Sequence, residues 1–312
     1  MLKPAPVALV IPYFGKFPAY LSYFLETCVF NKNIDFWFFC DTPWPGAGHT
    51  ASNIRVESMT LLEFNALATS KLEVEVALTS AYKLCDLKPM YGRVFEDYLR
   101  PYKFWGFCDV DILLGDTAKV LTAKLLDEFD VISAHALYLS GPFSLFRNTQ
   151  NVNDLFKKSA DVGRVISDPR VLLFDEASNA LPHLWAGRDI ADFKAEIESM
   201  THLLKNPLKC LLRVNFAGFI TERVAGELTW QAGKLHDEEG REVFVFHYIV
   251  YKNRFDFGIL PNDFKSGQPF YFYKGGLHTG SAWRKHWLRL SSMLHNTTRR
   301  AFRKLRSYAS SR

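Results

Sequence analysis

The chain has 312 residues, of which 48% are hydrophobic and 15% are aromatic. This composition excludes a disordered protein, and the length suffices for one large α/β domain or for a domain with an appendage. The net charge of +5 hides an asymmetry, because residues 264–312 contain eleven Lys or Arg and no acidic residue, whereas residues 1–263 contain 27 basic and 33 acidic residues. The basic character therefore belongs to the C-terminal segment.

The cysteines and the apolar runs bear on where the protein works. There are five cysteines with no Cys-x-x-Cys spacing: Cys28, Cys40, Cys85, Cys108 and Cys210. An odd number without this spacing indicates reduced core thiols in a cytoplasmic protein. No window reaches 18 apolar residues, and the run 7–11 is too short for a signal peptide, so we expect neither a bilayer-spanning segment nor a leader.

The first hundred residues alternate between apolar runs and helical spacing. Residues 7–11, 34–40 and 54–56 predict strands, and residues 18–30 predict a helix between the first two. A strand, helix, strand order implies parallel pairing with a right-handed crossover. Residues 61–102 are predicted to be mostly helical, with a break around 88–92.

Residues 104–116 contain a short aromatic run that predicts a buried strand, and two carboxylates follow it. Asp109 and Asp111 are two positions apart, and residues at this spacing in an extended segment point the same way. Both acids can therefore converge on one hard cation such as Mg²⁺ or Mn²⁺. An Asp-x-Asp is expected roughly once by chance in this chain, and the alternative is a solvated turn with two ordinary acids.

The second half of the chain continues the alternation. Helices are predicted over 119–129, 152–159 and 189–204, and strands over 130–134, 137–148 and 242–249, the last containing His247. We find no internal repeat and no long linker. The sequence therefore predicts a catalytic domain over residues 1–263 and a C-terminal extension over residues 264–312.

These features together resemble a bacterial GT-A-fold glycosyltransferase of capsule or lipopolysaccharide biosynthesis. The resemblance covers roughly residues 5–260, and its most specific part is the aromatic strand ending in Asp109 and Asp111. It implies an α/β, GT-A (nucleotide-diphospho-sugar transferase), Rossmann-like fold with a mixed, mostly parallel central sheet and a C-terminal helical extension. In such enzymes the carboxylates hold a divalent ion, usually Mn²⁺, that bridges the diphosphate of a nucleotide-sugar donor.

The resemblance also implies roles for single residues. Asp109, Asp111 and His247 would hold the metal, and Asp109 and Lys252 would lie at the donor diphosphate; a hydrogen-bonded core histidine is the alternative for His247. Further donor contacts are implied for Tyr13, Gly15, Asp41 and Lys88. Asp41 also fits a simple turn before Thr-Pro, and Lys88 also fits a helix-terminal surface lysine.

Transfer to a hydroxyl with inversion needs a base, for which a carboxylate is usual. Asp175 and Glu176 are the candidates, and an acidic pair at a helix N-terminus is the alternative. The segment 141–144 and Arg147 with Asn148 are expected to line the sugar pocket or the acceptor side.

The basic segment fits an interfacial helix. Trp283, Trp287, Leu290 and Leu294 share one helical face, surrounded by cations that attract anionic lipids. A nucleic-acid patch or a solvated helix are the alternatives. We favour a peripheral location on the inner face of the bacterial plasma membrane, with no nucleic acid as partner.

The leading prediction is a metal-dependent hexosyltransferase that moves a sugar from a nucleotide-sugar, most often a UDP-sugar in resembling enzymes, to a lipid-linked or cell-surface glycan. The alternative is a haloacid-dehalogenase-type phosphatase with Asp109 as nucleophile and Asp111 as general acid. Those enzymes carry the motif on their first strand, and Ile112 stands near where they have Thr. A non-catalytic membrane adaptor would not need the acids or His247.

Overall fold

The computed structural model describes residues 5–46, 51–254, 257–259, 266–280 and 290. Its strands, in chain order, are β1 (Val7–Tyr13), β2 (Ile34–Cys40), β3 (Ile54–Ser58), β4 (Phe104–Cys108), β5 (Ile112–Leu114), β6 (Val131–Ser133), β7 (Phe143–Arg147), β8 (Val214–Phe216), β9 (Ile220–Thr221), β10 (Leu228–Gln231), β11 (Lys234–His236), β12 (Glu242–Val243), β13 (Val245–His247), β14 (Gly258–Ile259), β15 (Phe270–Tyr273) and β16 (Gly276–His278). Its α-helices are α1 (Leu21–Phe30), α2 (Leu61–Leu72), α3 (Leu84–Leu87), α4 (Tyr91–Val94), α5 (Glu96–Leu99), α6 (Ala123–Glu128), α7 (Gln150–Asn153), α8 (Val162–Ser167), α9 (Leu181–Trp185), α10 (Met200–Lys205) and α11 (Ile249–Lys252).

A central sheet of seven strands has the order β3-β2-β1-β4-β7-β6-β8. Its pairs are parallel except those of β7, which is antiparallel to both β4 and β6. Alternate residues of β1 enter different cores: Ala8 and Val10 pack on one face of the sheet, and Val7, Leu9 and Ile11 on the other. The predicted α/β class with a mixed, mostly parallel central sheet is confirmed.

Two predicted helices are shorter than their sequence pattern indicates. The region 61–102 contains α2, which begins at a Thr60–Glu63 capping box, and then three one-turn helices around a 3₁₀ turn at Lys88–Met90. Pro89 in this turn cannot donate a backbone hydrogen bond and so favours the break. Of residues 189–204, only those from Met200 onward are α-helical, because Ser199 caps α10 in a capping box with His202.

A second sheet has the order β12-β11-β10-β15-β16-β14. The antiparallel pairing of β15 with β10 carries this sheet across the domain boundary predicted after residue 263. Within the predicted helical extension, residues 270–273 and 276–278 form a β-hairpin, and the alternating burial of Phe270 and Phe272 is typical of a strand. The other residues of the predicted interfacial helix lie outside the described residues, apart from Leu290, which is helical and exposed.

We find no helix among the described residues that is both long enough and apolar enough to cross a membrane.

Candidate functional site

The two acids of the Asp-x-Asp lie in the link between β4 and β5, at the carboxyl end of a central strand. The Asp109 backbone N–H donates to the Pro142 carbonyl at 3.1 Å, which ties this link to the strand β7 side of the sheet. Asp111 is buried, with 3% of its surface exposed. The link is therefore not the solvated turn of the alternative interpretation.

A small three-stranded sheet, β5-β13-β9, brings His247 to these acids. The antiparallel register of β5 and β13 pairs His247 with Ile112, directly beside Asp111. His247 Nε2 is 3.3 Å from Asp111 Oδ2, and its Nδ1 is 3.0 Å from Glu222 Oε1. Asp109, Asp111 and His247 each offer a ligand atom, and these three atoms lie within 4.8 Å of one another.

The chemistry of this cluster fits a divalent cation. His247 Nε2 is buried and has no hydrogen bond of good geometry within the described part of the chain, although Asp111 is near. Burial opposes the charged imidazolium, but the contacts with Asp111 and Glu222 raise the pKa of His247 to about 9. Acidic surroundings that stabilise the protonated imidazole also favour a bound metal cation. Oxygen ligands together with one imidazole suit Mn²⁺ and similar ions.

Two lysines flank the candidate metal ligands. Lys252, at the end of α11, places its Nζ 2.8 Å from Asp111 Oδ2. Lys88 Nζ lies 2.8 Å from Asp109 Oδ1 and 3.2 Å from Asp175 Oδ2, and it donates to the Gly141 carbonyl. Lys88 is only 7% exposed, so the alternative of a surface lysine is wrong. Burial would lower the pKa of Lys88, but the charges of Asp109 and Asp175 raise it well above its usual value, so it remains cationic.

These groups line a cleft of about 540 Å³. Asp175 and Glu176 lie in its wall, in a turn before the 3₁₀ turn Ser178–Ala180, and no α-helix begins at them. A Cβ added at Gly141 would stand 2.7 Å from Glu176 Oε1 and 2.9 Å from Asp175 Oδ2, so the acids depend on that glycine. Burial is the main cause that raises the pKa of Asp175 to about 7 and that of Glu176 to about 8.

Not every predicted site residue reaches the cleft. Tyr13 lines it, whereas Gly15 and Asp41 do not. Asp41 Oδ1 instead accepts the Gly15 N–H at 2.7 Å and holds the loop after β1, in which Gly15 has a φ of +95°. The predicted contacts of Gly15 and Asp41 with a nucleotide stay predictions.

The expectation that Arg147 and Asn148 line a sugar pocket is wrong. Arg147 pairs with Asp130 and donates to the backbone carbonyls of Leu126 and Phe129 at the C-terminal end of α6. Asn148 donates to the Leu99 carbonyl. Both side chains thus form hydrogen bonds with other groups of the protein, and neither lines the cleft.

Sequence reasoning missed several residues of this site. Glu222 follows the two-residue strand β9, which has no periodicity to reveal it. Tyr20 and Tyr82 also line the cleft, and each stands alone in the sequence without a motif. The aromatic residues near Tyr13 were the one available signal for Tyr20.

Residues 9–253 match the model of a family described only as a family of unknown function, DUF6625. A search of the curated proteins finds no match. Among solved structures, the chain is similar to the galactosyltransferase LgtC in complex with donor and acceptor sugar analogues, at 14% identity and a TM-score of 0.34, over 52% of this chain and 66% of that chain, just under two thirds of it.

Proposed function

We propose that this chain, which belongs to the DUF6625 family of unknown function, is a metal-dependent glycosyltransferase that uses a nucleotide-sugar donor. The observation that carries the proposal is the convergence of Asp109, Asp111 and His247 in a cleft that also contains Lys88 and Lys252. A nucleoside diphosphate leaving group is strongly anionic, so its departure needs fixed positive charge. A divalent ion such as Mn²⁺, held by the three ligands, would supply that charge as a Lewis acid.

The lysines and tyrosines suit the rest of a donor. Lys252 is 24% exposed at its side chain, so its ammonium can exchange an Asp111 oxygen for a phosphate oxygen. Tyr13 stacks on Phe17 with ring centroids 4.8 Å apart, and together with Tyr20 it gives one end of the cleft an aromatic wall. An aromatic wall beside two cations fits a planar base joined to a diphosphate.

Asp175 and Glu176 are the proposed groups for the acceptor or the sugar. With pKa values raised to about 7 and 8 by burial, these carboxyls exchange protons near neutral pH. A general base works best when its pKa lies near the operating pH. Either acid can therefore accept the proton of an attacking hydroxyl.

The charge state of Asp111 argues against the phosphatase alternative. Burial by itself would raise the pKa of Asp111, but His247 and Lys252 together hold it below its usual value. A general acid must carry a proton before it can donate one. Asp111 is ionised at neutral pH, which suits a metal ligand and not a proton donor.

The proposal extends to UDP as the nucleotide and to a lipid-linked or cell-surface glycan as the acceptor. The acceptor part is supported by the composition of residues 281–312, whose tryptophans and cationic residues suit an anionic lipid surface. Removal of residues 281–312 should release the protein from anionic vesicles without affecting nucleotide binding. Retention on the vesicles after truncation would contradict this extension and leave the transferase proposal standing.

The central test measures thermal stability with Mn²⁺ and with UDP, GDP, CMP or inorganic phosphate. We expect one nucleoside diphosphate to raise the Tm only when Mn²⁺ is present, because a ligand that binds the folded state stabilises it by mass action. Asp111→Ala should abolish this increase, and the exposed Asp192→Ala should preserve it. Hydrolysis of phosphomonoesters without any nucleotide effect would instead favour the phosphatase.

A further inference from the structure

Asp86 is a fully buried carboxylate on α3 that does not line the cleft. Its Oδ2 accepts the Leu172 N–H, and its Oδ1 accepts the Phe174 N–H, both at 2.8 Å. The Lys83 ammonium donates to Asp86 Oδ2 at 2.7 Å and to the Arg170 carbonyl at 2.7 Å. These contacts of the buried pair all go to the segment 170–174, which leads directly into Asp175 and Glu176.

The backbone at Leu173, between the two N–H groups that bind Asp86, adopts a conformation that residues with a Cβ disfavour. Leu173 has a φ of 56°, in the left-handed region that costs free energy for a residue with a Cβ. This conformation turns the N–H groups of Leu172 and Phe174 toward one anion, which is the geometry of a backbone nest. The strained turn persists because a carboxylate occupies the nest.

The same turn fixes the two acids on its other side. The Leu173 carbonyl accepts the N–H groups of Glu176 at 3.2 Å and Ser178 at 3.0 Å. The Glu176 carbonyl accepts the hydroxyl of Thr201 at 2.6 Å. Hydrogen bonds thus hold Asp175 and Glu176 from two sides, at the Leu173 carbonyl and at Thr201. The side with Leu173 depends on Asp86.

We propose that Asp86 is a positioning residue, which holds the turn 172–174 so that the carboxyls of Asp175 and Glu176 meet Lys88 and Gly141. The functional part of this inference rests on the proposed function, because it assigns the two acids to the reacting sugar or acceptor. An ion pair that only stabilised the core would not require both carboxylate oxygens of Asp86 to accept N–H groups from one strained turn. Because α3 also leads into Lys88, Asp86 sets the spacing between the cation and the acids across the cleft.

The test compares Asp86→Asn with Asp35→Asn. Asp35 is a matched control, since it is also a buried carboxylate, 4% exposed, that accepts from the Tyr102 hydroxyl and from Arg55. Hydrogen exchange of the amides in 170–176 should accelerate about tenfold or more in Asp86→Asn and stay native in Asp35→Asn. If Asp86→Asn does not fold, Asp86→Glu keeps the charge, displaces the carboxylate by one methylene and should show the same local acceleration.

A second readout concerns turnover of a panel of nucleoside-diphosphate sugars. Asp86→Asn should lower kcat about 10–100-fold, as expected for a group that orients catalytic residues, while the Tm increase from Mn²⁺ with UDP stays within a few degrees of native. Asp35→Asn should lose Tm but keep kcat. Native exchange in 170–176, native kcat, or an equal loss of kcat in both variants would overturn the inference. If the native chain turns over no sugar nucleotide, the proposed function fails, and the exchange measurement still decides whether Asp86 holds the turn.

Discussion

Two pairs of acids border the same cleft, and their surroundings give them different chemistry. Asp111 has Lys252 at 2.8 Å and His247 at 3.3 Å, and these cations hold its pKa below the usual value although burial would raise it. Asp175 has Lys88 at 3.2 Å, and burial outweighs that cation and raises the pKa of Asp175 to about 7. Asp111 stays ionised, whereas Asp175 and Glu176 take up a proton near neutrality.

This difference shows that residue type alone does not define a site. Carboxylates beside several cations remain ionised and suit a metal, whereas buried carboxylates beside one cation suit proton transfer. Lys88 contacts both pairs, at Asp109 and at Asp175, so it couples the two halves of the cleft.

The largest expected effect is on Mn²⁺ affinity, and it distinguishes the two acidic pairs directly. Asp111→Asn should weaken Mn²⁺ binding at least about hundredfold, because a ligating carboxylate contributes more than outer partners, which are worth about 10–100-fold. Asp175→Asn should leave Mn²⁺ affinity within a few-fold of native. Calorimetric titration of both variants with Mn²⁺ checks this. Equal losses would mean that both pairs bind the metal.

The second prediction concerns the partner of His247. Glu222 accepts at His247 Nδ1, which fixes the ring with Nε2 toward the acids. Glu222→Gln should therefore weaken Mn²⁺ affinity about 10–100-fold. Glu196→Gln, at an exposed ion pair with Arg164, is the matched control and should bind Mn²⁺ like the native chain. An unchanged affinity in Glu222→Gln would show that the ring does not depend on this partner.

The parts of the molecule that sequence predicted are those with local signals. Strands β1, β2 and β4 follow from dense apolar runs, and Asp109 and Asp111 from their spacing next to one of them. For the strands and the two acids the information lies within a few neighbouring residues. The role of His247 came instead from the resemblance, which implies a histidine late in the chain as a third ligand.

The parts that sequence could not predict depend on contacts between distant segments. Asp86 bonds to Leu172 and Phe174, more than eighty residues away, so no pattern around Asp86 reveals its role. Glu222 lies 25 residues before His247, directly after the two-residue strand β9. Within the predicted helical region 61–102, the break around 88–92 was predicted, whereas the non-helical stretch between α2 and residue 81 was not. Strands β15 and β16 adjoin the basic pattern of the C-terminal segment, and this pattern led to a helical prediction for the whole segment.

The third prediction uses pH to test the protonatable pair. Burial, followed by the charge of Asp175, raises the pKa of Glu176 from 4.5 to about 8. Below pH 4.5 the folded and unfolded chains both hold this proton. Between pH 4.5 and about 8 only the folded chain does, so the native protein loses stability as the pH rises.

Glu176→Gln removes this titration, so its Tm relative to native should increase across that range. Over the three pH units from 5 to 8 the difference should grow by at most about 4 kcal/mol, or several degrees, at about 1.4 kcal/mol per pH unit. Scanning calorimetry from pH 5 to 8 checks this. The control Glu239→Gln, at an exposed position, should show a constant difference. A constant difference in Glu176→Gln as well would mean that Glu176 stays ionised.

The smallest expected effect belongs to Asp41, an acid outside both pairs. Asp41 Oδ1 accepts the Gly15 N–H at 2.7 Å, and a single hydrogen bond of this kind contributes about 0.5–1.5 kcal/mol. Asp41→Ala should therefore weaken UDP binding in the presence of Mn²⁺ by no more than about tenfold, through the loop after β1, and leave Mn²⁺ affinity unchanged. Asp41→Asn keeps an acceptor oxygen and should bind UDP like the native chain. Titration of both variants with UDP checks this. A hundredfold loss of affinity in both would mean that the Asp41 carboxylate contacts the nucleotide itself, as the resemblance implies. Asp41 would then be a third acidic group at the donor site.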